Sequence, residues 1–340
     1  MAHARAVVDA ALAASAALHA ARDALAPAVA AAAGLSVPGA LFGFESLERS
    51  ATDDDVARLA ASVTAADEVA VVLSANVFVA ALRAVALARV AAPRVRVRPS
   101  RREPVFARAL VEAWADPAIT LEPGLDLAAV RRGVVHVYGR DETIAAIRAS
   151  ARVPVVGHGA GMGVAIVGRG AEVEGAARAL ARDVVAFDQR GCLSPRIVWV
   201  EGDRARARAL AAALDEAIAA LAIPVGVVDD AERAEARRYL ETMRAVGDVV
   251  ACASHVVAVA EPGAPALVPP AGRNVHVAPF TDPREVAAAM SPYAPFVVAV
   301  GGDAALGARL FPRARGLALG SMQRPPLDGP VDLRGARATS

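Results

Sequence analysis

The chain has 340 residues with 37 basic and 36 acidic side chains, a net charge of +1 at pH 7, so no single-sign field is present to draw nucleic acid or an anionic membrane surface. Hydrophobic residues make up 56% and charged ones 21%, enough to bury one large or two ordinary domains, which argues against disorder. Aromatics reach only 4% and lysine is absent; the core must be built from closely packed Ala, Val and Leu, and every basic role falls to arginine, whose guanidinium does not titrate.

Residues 1–34 begin with a basic stretch and contain Ala-x-Ala sites, but Asp9, Arg22 and Asp23 interrupt any continuous apolar run, so they read as an alanine-rich helix and not an export signal. No run of about 18 uncharged apolar residues follows, so no membrane span is expected. From residue 68 short β-branched runs alternate with amphipathic segments: EVAVVL, VFVAALRAVALARV, RVRVR, PVFARALVEAWA, VVHVY, DETIAAIRAS. Strand–helix alternation of this kind predicts a parallel sheet with crossover helices. Asp141 reads as a helix N-cap, which puts Gly139 and Arg140 in the preceding turn, where backbone amides would face a bound anion. VPVVGHGAGMGVAIVG, residues 153–168, reads as a glycine-rich loop between two apolar runs, with a domain boundary at its end.

The second half is again α/β. It opens with the helix AEVEGAARALARDVVAFDQR, followed by the strand RIVWVE, helices over 203–221 and 230–246, and strands around 248–259 and 274–279. PREVAAAM, FVVAV, DAALGARL and a strand near Gly316 to Leu319 complete it, and a polar, proline-containing tail closes the chain.

Two cysteines in a chain of this length make no disulfide framework, so a reducing, cytoplasmic setting is expected. Cys192 lies in FDQRGCLSPRIVWVE, at a tight turn between a helix and a strand, where a thiol can serve as nucleophile or simply fill a turn; Cys252, inside VVACASHVVAV, reads as buried and inert. Asn76 follows the first strand and precedes a helix. Its carboxamide can donate to a developing oxyanion or cap the helix. His158, between glycines in GHGAG, is either a residue at a ligand's reactive end or a solvated turn histidine. Arg98 and Ser100 end the strand RVRVR and can bind a ribose phosphate or form a basic loop with Arg101 and Arg102. The histidines show no metal-site spacing, and the GxGxxG, GxSxG and P-loop fingerprints are all absent.

Taken in order, LSANVFVAALRAVALARV, RVRPSRREPVFARALVEA, VYGRDETIAAIRA, VVGHGAGMGVAIV, FDQRGCLSPRIVWVE and MQRPPLD resemble the long-chain acyl-CoA reductase family typified by the LuxC subunit of bacterial luminescence, a branch of the aldehyde dehydrogenase superfamily. The resemblance spans about residues 40–328 and is most specific at DQRGCLSP and MQRPPLD. It implies an aldehyde-dehydrogenase-like α/β fold of two domains with mostly parallel sheets and an active-site cleft between them. An N-terminal helix and nucleotide-binding domain would occupy 1–168, a catalytic domain 169–320 and a tail 321–340.

By the same resemblance Cys192 is the acylated nucleophile, Asn76 the oxyanion donor, and His158 stands where hydrolytic relatives carry a glutamate base. Arg98 and Ser100 match a ribose or 2′-phosphate contact, and Gly139, with Gly157 and Gly159, the approach to the cofactor. The implied reaction is NADPH-dependent reduction of a long-chain acyl-CoA or acyl-carrier thioester to aldehyde, with NADH still open. An acyl-transferring protein partner and a homo-oligomer are further expectations. A CoA-acylating aldehyde dehydrogenase of shorter acyl groups, or a catalytically weakened scaffold subunit, remain alternatives. Phe78 replaces a proline of the family's pattern, and its bulk is expected to narrow the site.

Overall fold

The computed structural model describes residues 1–251 and 254–334; Cys252, expected to be buried, lies outside the described residues. The chain divides into two units, one formed by 1–33, 40–160 and 324–331, the other by 34–39, 161–323 and 332–340.

In the first unit the alanine-rich start is two helices, α1 (Ala2–Ala20) and α2 (Arg22–Ala33), bent by 88° at their junction. Among the described residues no single helix is long and apolar enough to cross a membrane. After α3 (Val37–Phe44) and α4 (Asp53–Ser62) come β1 (Val69–Val72), α5 (Ala80–Ala91), β2 (Val95–Arg98), α6 (Val105–Trp114), β3 (Ile119–Leu121), β4 (Val134–Tyr138), α7 (Asp141–Ser150) and β5 (Val155–His158). All five strands pair in parallel, in the order β3-β2-β1-β4-β5. Every residue of β1 is buried, as expected for a central strand covered on both faces. α1 packs against α5 and α6, which requires its Ala and Val face to replace larger side chains at close spacing.

Phe44, Phe78 and Phe106 form an aromatic trio with ring centroids 5.1, 5.9 and 5.2 Å apart, all buried. Phe78 therefore fills the core of this unit instead of narrowing the site, since the trio offers its ring more contact than solvent-facing space would. Behind it Arg83, itself buried, donates to Glu48 Oε1 at 3.0 Å, to the Pro325 carbonyl at 2.7 Å and to the Gly329 carbonyl at 2.8 Å. Burial raises the Glu48 carboxyl even beside this cation.

The second unit runs β6 (Met162–Val167), α8 (Val173–Val185), β7 (Pro195–Glu201), α9 (Arg204–Ala220), α10 (Asp230–Val246), β8 (Gly247–Ala251), β9 (Val256–Ala260), β10 (Val275–Phe280), α11 (Pro283–Met290), β11 (Val297–Gly302), α12 (Ala304–Leu310) and β12 (Arg315–Leu317). Its sheet has the order β12-β11-β6-β7-β10-β9-β8, parallel except where β8 runs antiparallel to β9. The wholly buried β6 pairs with β7 and β11, so the chain divides at 160/161 and not at 168 as read from the glycine-rich segment. Nor do residues 321–331 form a separate tail. Asp183 on α8 accepts from the Gly320 and Met322 amides at 2.6 and 2.9 Å, and residues 324–331 belong to the first unit.

Candidate active site

The parallel register aligns Arg98 with Val72, Val72 with Val137, and Tyr138 with His158. Asn76, Arg98, Ser100, Gly139 and His158 thus all leave one carboxyl edge of the first unit's sheet. The strand order reverses between β1 and β4, which makes that edge a topological switch point, the place where open α/β sheets take ligands.

Asn76 is exposed on the segment between β1 and α5. It does not cap α5, whose N-cap is Val79. Its Oδ1 accepts from Arg102 Nη2 at 3.0 Å. Arg98 ends β2, its carbonyl taking the Leu73 amide at 3.0 Å. Arg96, two residues earlier, is paired with Glu122 and Glu68, whereas the half-buried Arg98 guanidinium meets no acid among the described residues. Ser100 Oγ accepts from the Arg102 amide at 3.2 Å.

A Cβ at Gly139 would make only ordinary contact with Thr143, so the turn after β4 is open to a ligand. Gly157 and Gly159 answer to packing: a Cβ would stand 2.5 Å from Ile144 and 2.0 Å from Asp141, both on α7. Asp141 is the first helical residue and not the cap; its Oδ1 accepts the Ala160 amide at 3.1 Å, so the carboxylate holds the chain leaving β5. His158 is not in a loop but ends β5, because Tyr138 opposite it supplies a stacking surface. The two rings lie 4.2 Å apart and within 7° of parallel, and His158 Nε2 is 3.1 Å from Nδ1 of His136. Burial lowers the His136 pKa, so this partner stays neutral. His136 and Tyr138 went unassigned in the sequence, although their period-two spacing on β4 puts them on one face.

Cys192 lies in the second unit, in the turn between α8 and β7. Three consecutive non-glycine residues before it, Phe187, Asp188 and Gln189, adopt left-handed φ of 55°, 50° and 61°, each costing about 1–3 kcal/mol and persisting only where the surroundings enforce it. Here they do. Asp188 Oδ1 accepts from Arg273 Nε at 3.0 Å and Nη2 at 2.6 Å, Oδ2 from the Gly226 amide at 3.0 Å, and the Asp188 carbonyl from the Gly272 amide at 3.1 Å. Gln189 donates to the Pro195 and Asn274 carbonyls, both at 2.8 Å, and accepts the Asn274 amide at 2.9 Å. Beyond the thiol, the Ser194 amide closes on the Gly191 carbonyl at 3.1 Å, and the Gly163 amide donates to the Ser194 carbonyl at 2.9 Å.

The free thiol of Cys192 is half-buried. Burial, with the Asp332 carboxylate adding to it, pushes its pKa up to about 11, and Arg334, paired to Asp332 at 2.6 Å, pulls only partly against this. The resting residue is thus a protonated thiol. Its alkylation by iodoacetamide is expected to quicken about tenfold per pH unit from 7 to 10 without levelling; a plateau below pH 9 would show a thiolate stabilised at rest.

The two α/β units, one with this switch-point edge and the other with a cysteine on a locked turn, have an aldehyde-dehydrogenase-like fold. The structure is similar to an oxidoreductase from Marinobacter aquaeolei (TM-score 0.71, 14% identity, 97% of this chain and 81% of that one). It is also similar to a Mycobacterium tuberculosis aldehyde dehydrogenase complexed with NAD+ (0.65, 14%, 94% and 78%). Proline utilization A matches at TM-score 0.67 and 17% identity over 97% of this chain, which spans only 41% of that protein. At these identities the likeness is one of fold. No curated protein sequence matches significantly. The acyl-CoA reductase (LuxC) family model matches residues 62–326, and the chain belongs to that family. It is accordingly an oxidoreductase acting on aldehyde or acyl groups, with reduction of acyl-CoA to aldehyde as the general reaction.

Proposed function

We propose that the protein reduces a long-chain acyl-CoA, or an equivalent acyl thioester, to the aldehyde with NADPH through an acyl-enzyme on Cys192. The observation that carries this reading is the locked left-handed turn: strain of this kind, enforced by a buried ion pair and a triply bonded glutamine, supports a thiol held for reaction.

The residues at the sheet edge fit a nicotinamide dinucleotide. Arg98 has a guanidinium uncommitted among the described residues and available for a phosphate, Ser100 a hydroxyl two residues on, and Gly139 leaves open backbone at the switch point. That uncommitted cation favours the 2′-phosphate of NADPH over the bare ribose of NADH. When bound, such a cofactor supplies hydride.

The chain's own part begins with the Cys192 sulfur bonding to the thioester carbonyl carbon while its proton is taken up by His158, whose ring can hold it against neutral His136. The Asn76 amide and the Cys192 backbone N–H stabilise the oxyanion. The C–S bond to CoA then breaks, and the proton from His158 leaves on the CoA sulfur. Cys192 retains the acyl group; after its carbonyl carbon has been reduced, the C–S bond to Cys192 breaks, aldehyde leaves, and the thiolate takes up a proton from water to re-form the thiol. His158 in place of a carboxylate base disfavours activation of water against the thioester.

Incubation with acetyl-, octanoyl- and hexadecanoyl-CoA without reductant, followed by peptide mass spectrometry, is expected to place an acyl adduct on the Cys192 peptide, most abundantly for the longest chain. Absence of any adduct there, with native protein and all three donors, would reject the acyl-enzyme; a maximum with acetyl-CoA would favour the short-chain reading.

A further inference from the structure

We propose that Arg102 is a positioning residue that fixes which end of the Asn76 carboxamide faces the substrate; the inference rests on the oxyanion role proposed for Asn76. A carboxamide has two ends of nearly equal size and opposite character: turned one way it presents two N–H donors, turned the other an acceptor oxygen that repels a developing oxyanion. Something must sort them. Nothing in the backbone does, since Asn76 caps no helix and is exposed between β1 and α5. The guanidinium of Arg102 carries donors and no acceptor, so at 3.0 Å it can pair only with Oδ1. The Nδ2 group, which meets no acceptor among the described residues, then points away from Arg102 as the free end. A cation on the oxygen also draws electron density from the amide and strengthens its N–H donors.

Arg102 itself is placed by the segment proposed to contact the cofactor. Its amide donates to Ser100 Oγ at 3.2 Å, which closes the turn after β2 and turns residue 102 toward the segment after β1. This contact uses the backbone of residue 102, so changing its side chain leaves the Ser100 hydroxyl where it is. The arrangement puts the electrostatic sorting of the oxyanion donor and the cofactor contact on the one stretch that ends β2 and follows it, with separable readouts.

The test measures CoA-thiol release in a single turnover with dodecanoyl-CoA, alongside steady-state KM for NADPH, for Arg102→Lys, Arg102→Met and Arg102→Glu, each in the native and the Asn76→Ala background. Lysine, a donor only, should retain most of the acylation rate. Methionine should lose about tenfold, the worth of one charge-assisted hydrogen bond. Glutamate, an acceptor only, should pair with Nδ2, reverse the amide and fall below methionine. KM for NADPH should stay unchanged throughout, and in the Asn76→Ala background the three variants should become equal. If the Arg102 losses persist undiminished without the Asn76 side chain, or if glutamate matches lysine, the sorting role is overturned while the oxyanion role stands. Should Asn76→Ala alone leave acylation unchanged, both fall together.

Discussion

Arg273→Ala is expected to destabilise the protein by about 3–5 kcal/mol, the cost of stranding a buried carboxylate without its cation. Both side chains of the Arg273–Asp188 pair are almost fully enclosed, and the guanidinium also donates to the Ile223 carbonyl at 2.6 Å. Three left-handed residues depend on that carboxylate, so the loss should not stay local. The turn would relax toward ordinary φ values and carry Cys192 with it. Urea denaturation should therefore show a lower midpoint, and acyl-adduct formation should fall more than the unfolded fraction accounts for. The doubly changed Arg273→Met, Asp188→Leu protein separates the two effects: it should recover part of the stability, having no orphaned charge, but not the rate of adduct formation. Recovery of both would mean that the ion pair serves stability alone.

Asn76→Ala is expected to lower kcat by about a hundred- to a thousandfold, corresponding to roughly 2.7–4 kcal/mol of lost transition-state stabilisation. KM for acyl-CoA should change little, because the amide is needed only when the carbonyl oxygen becomes charged. Since the side chain is exposed and caps no helix, the variant should unfold at the native midpoint, which makes the kinetics readable without a stability correction. Asn76→Asp should be at least as impaired, its carboxylate opposing the negative oxygen. A loss under fivefold for Asn76→Ala would remove this residue from the oxyanion site.

Much of the fold was legible because long periodic segments carry their own signal. The helix over 230–246 appears with those bounds, its start fixed by the Asp229–Glu232 capping box. The three-residue β3 was not, since Ile119–Leu121 is too short to show alternation and is held only by pairing with β2. Asn76 looked like a cap because polar residues between strand and helix usually are; the helix starts later because Phe78 is drawn into the aromatic trio. His158 looked like a loop residue because glycines surround it, yet those glycines make room for α7 while the strand continues. Cys192 stands out as a candidate through DQRGCLSP, but Arg273, which braces that block, lies 85 residues from Asp188. No local pattern marks it. The same holds for Arg102, which read as one more charge in a basic loop.

The first unit is completed by residues 324–331, whose carbonyls clothe the cation of Arg83 deep inside it. During synthesis on the ribosome that lining follows the whole of the 161–323 segment, so residues 1–160 cannot reach their final state as they emerge and must wait until the second unit's sheet has been made. Anyone dissecting this enzyme should expect a fragment ending at residue 160 to be unstable, and would do better to graft the 324–331 stretch onto it through a flexible linker.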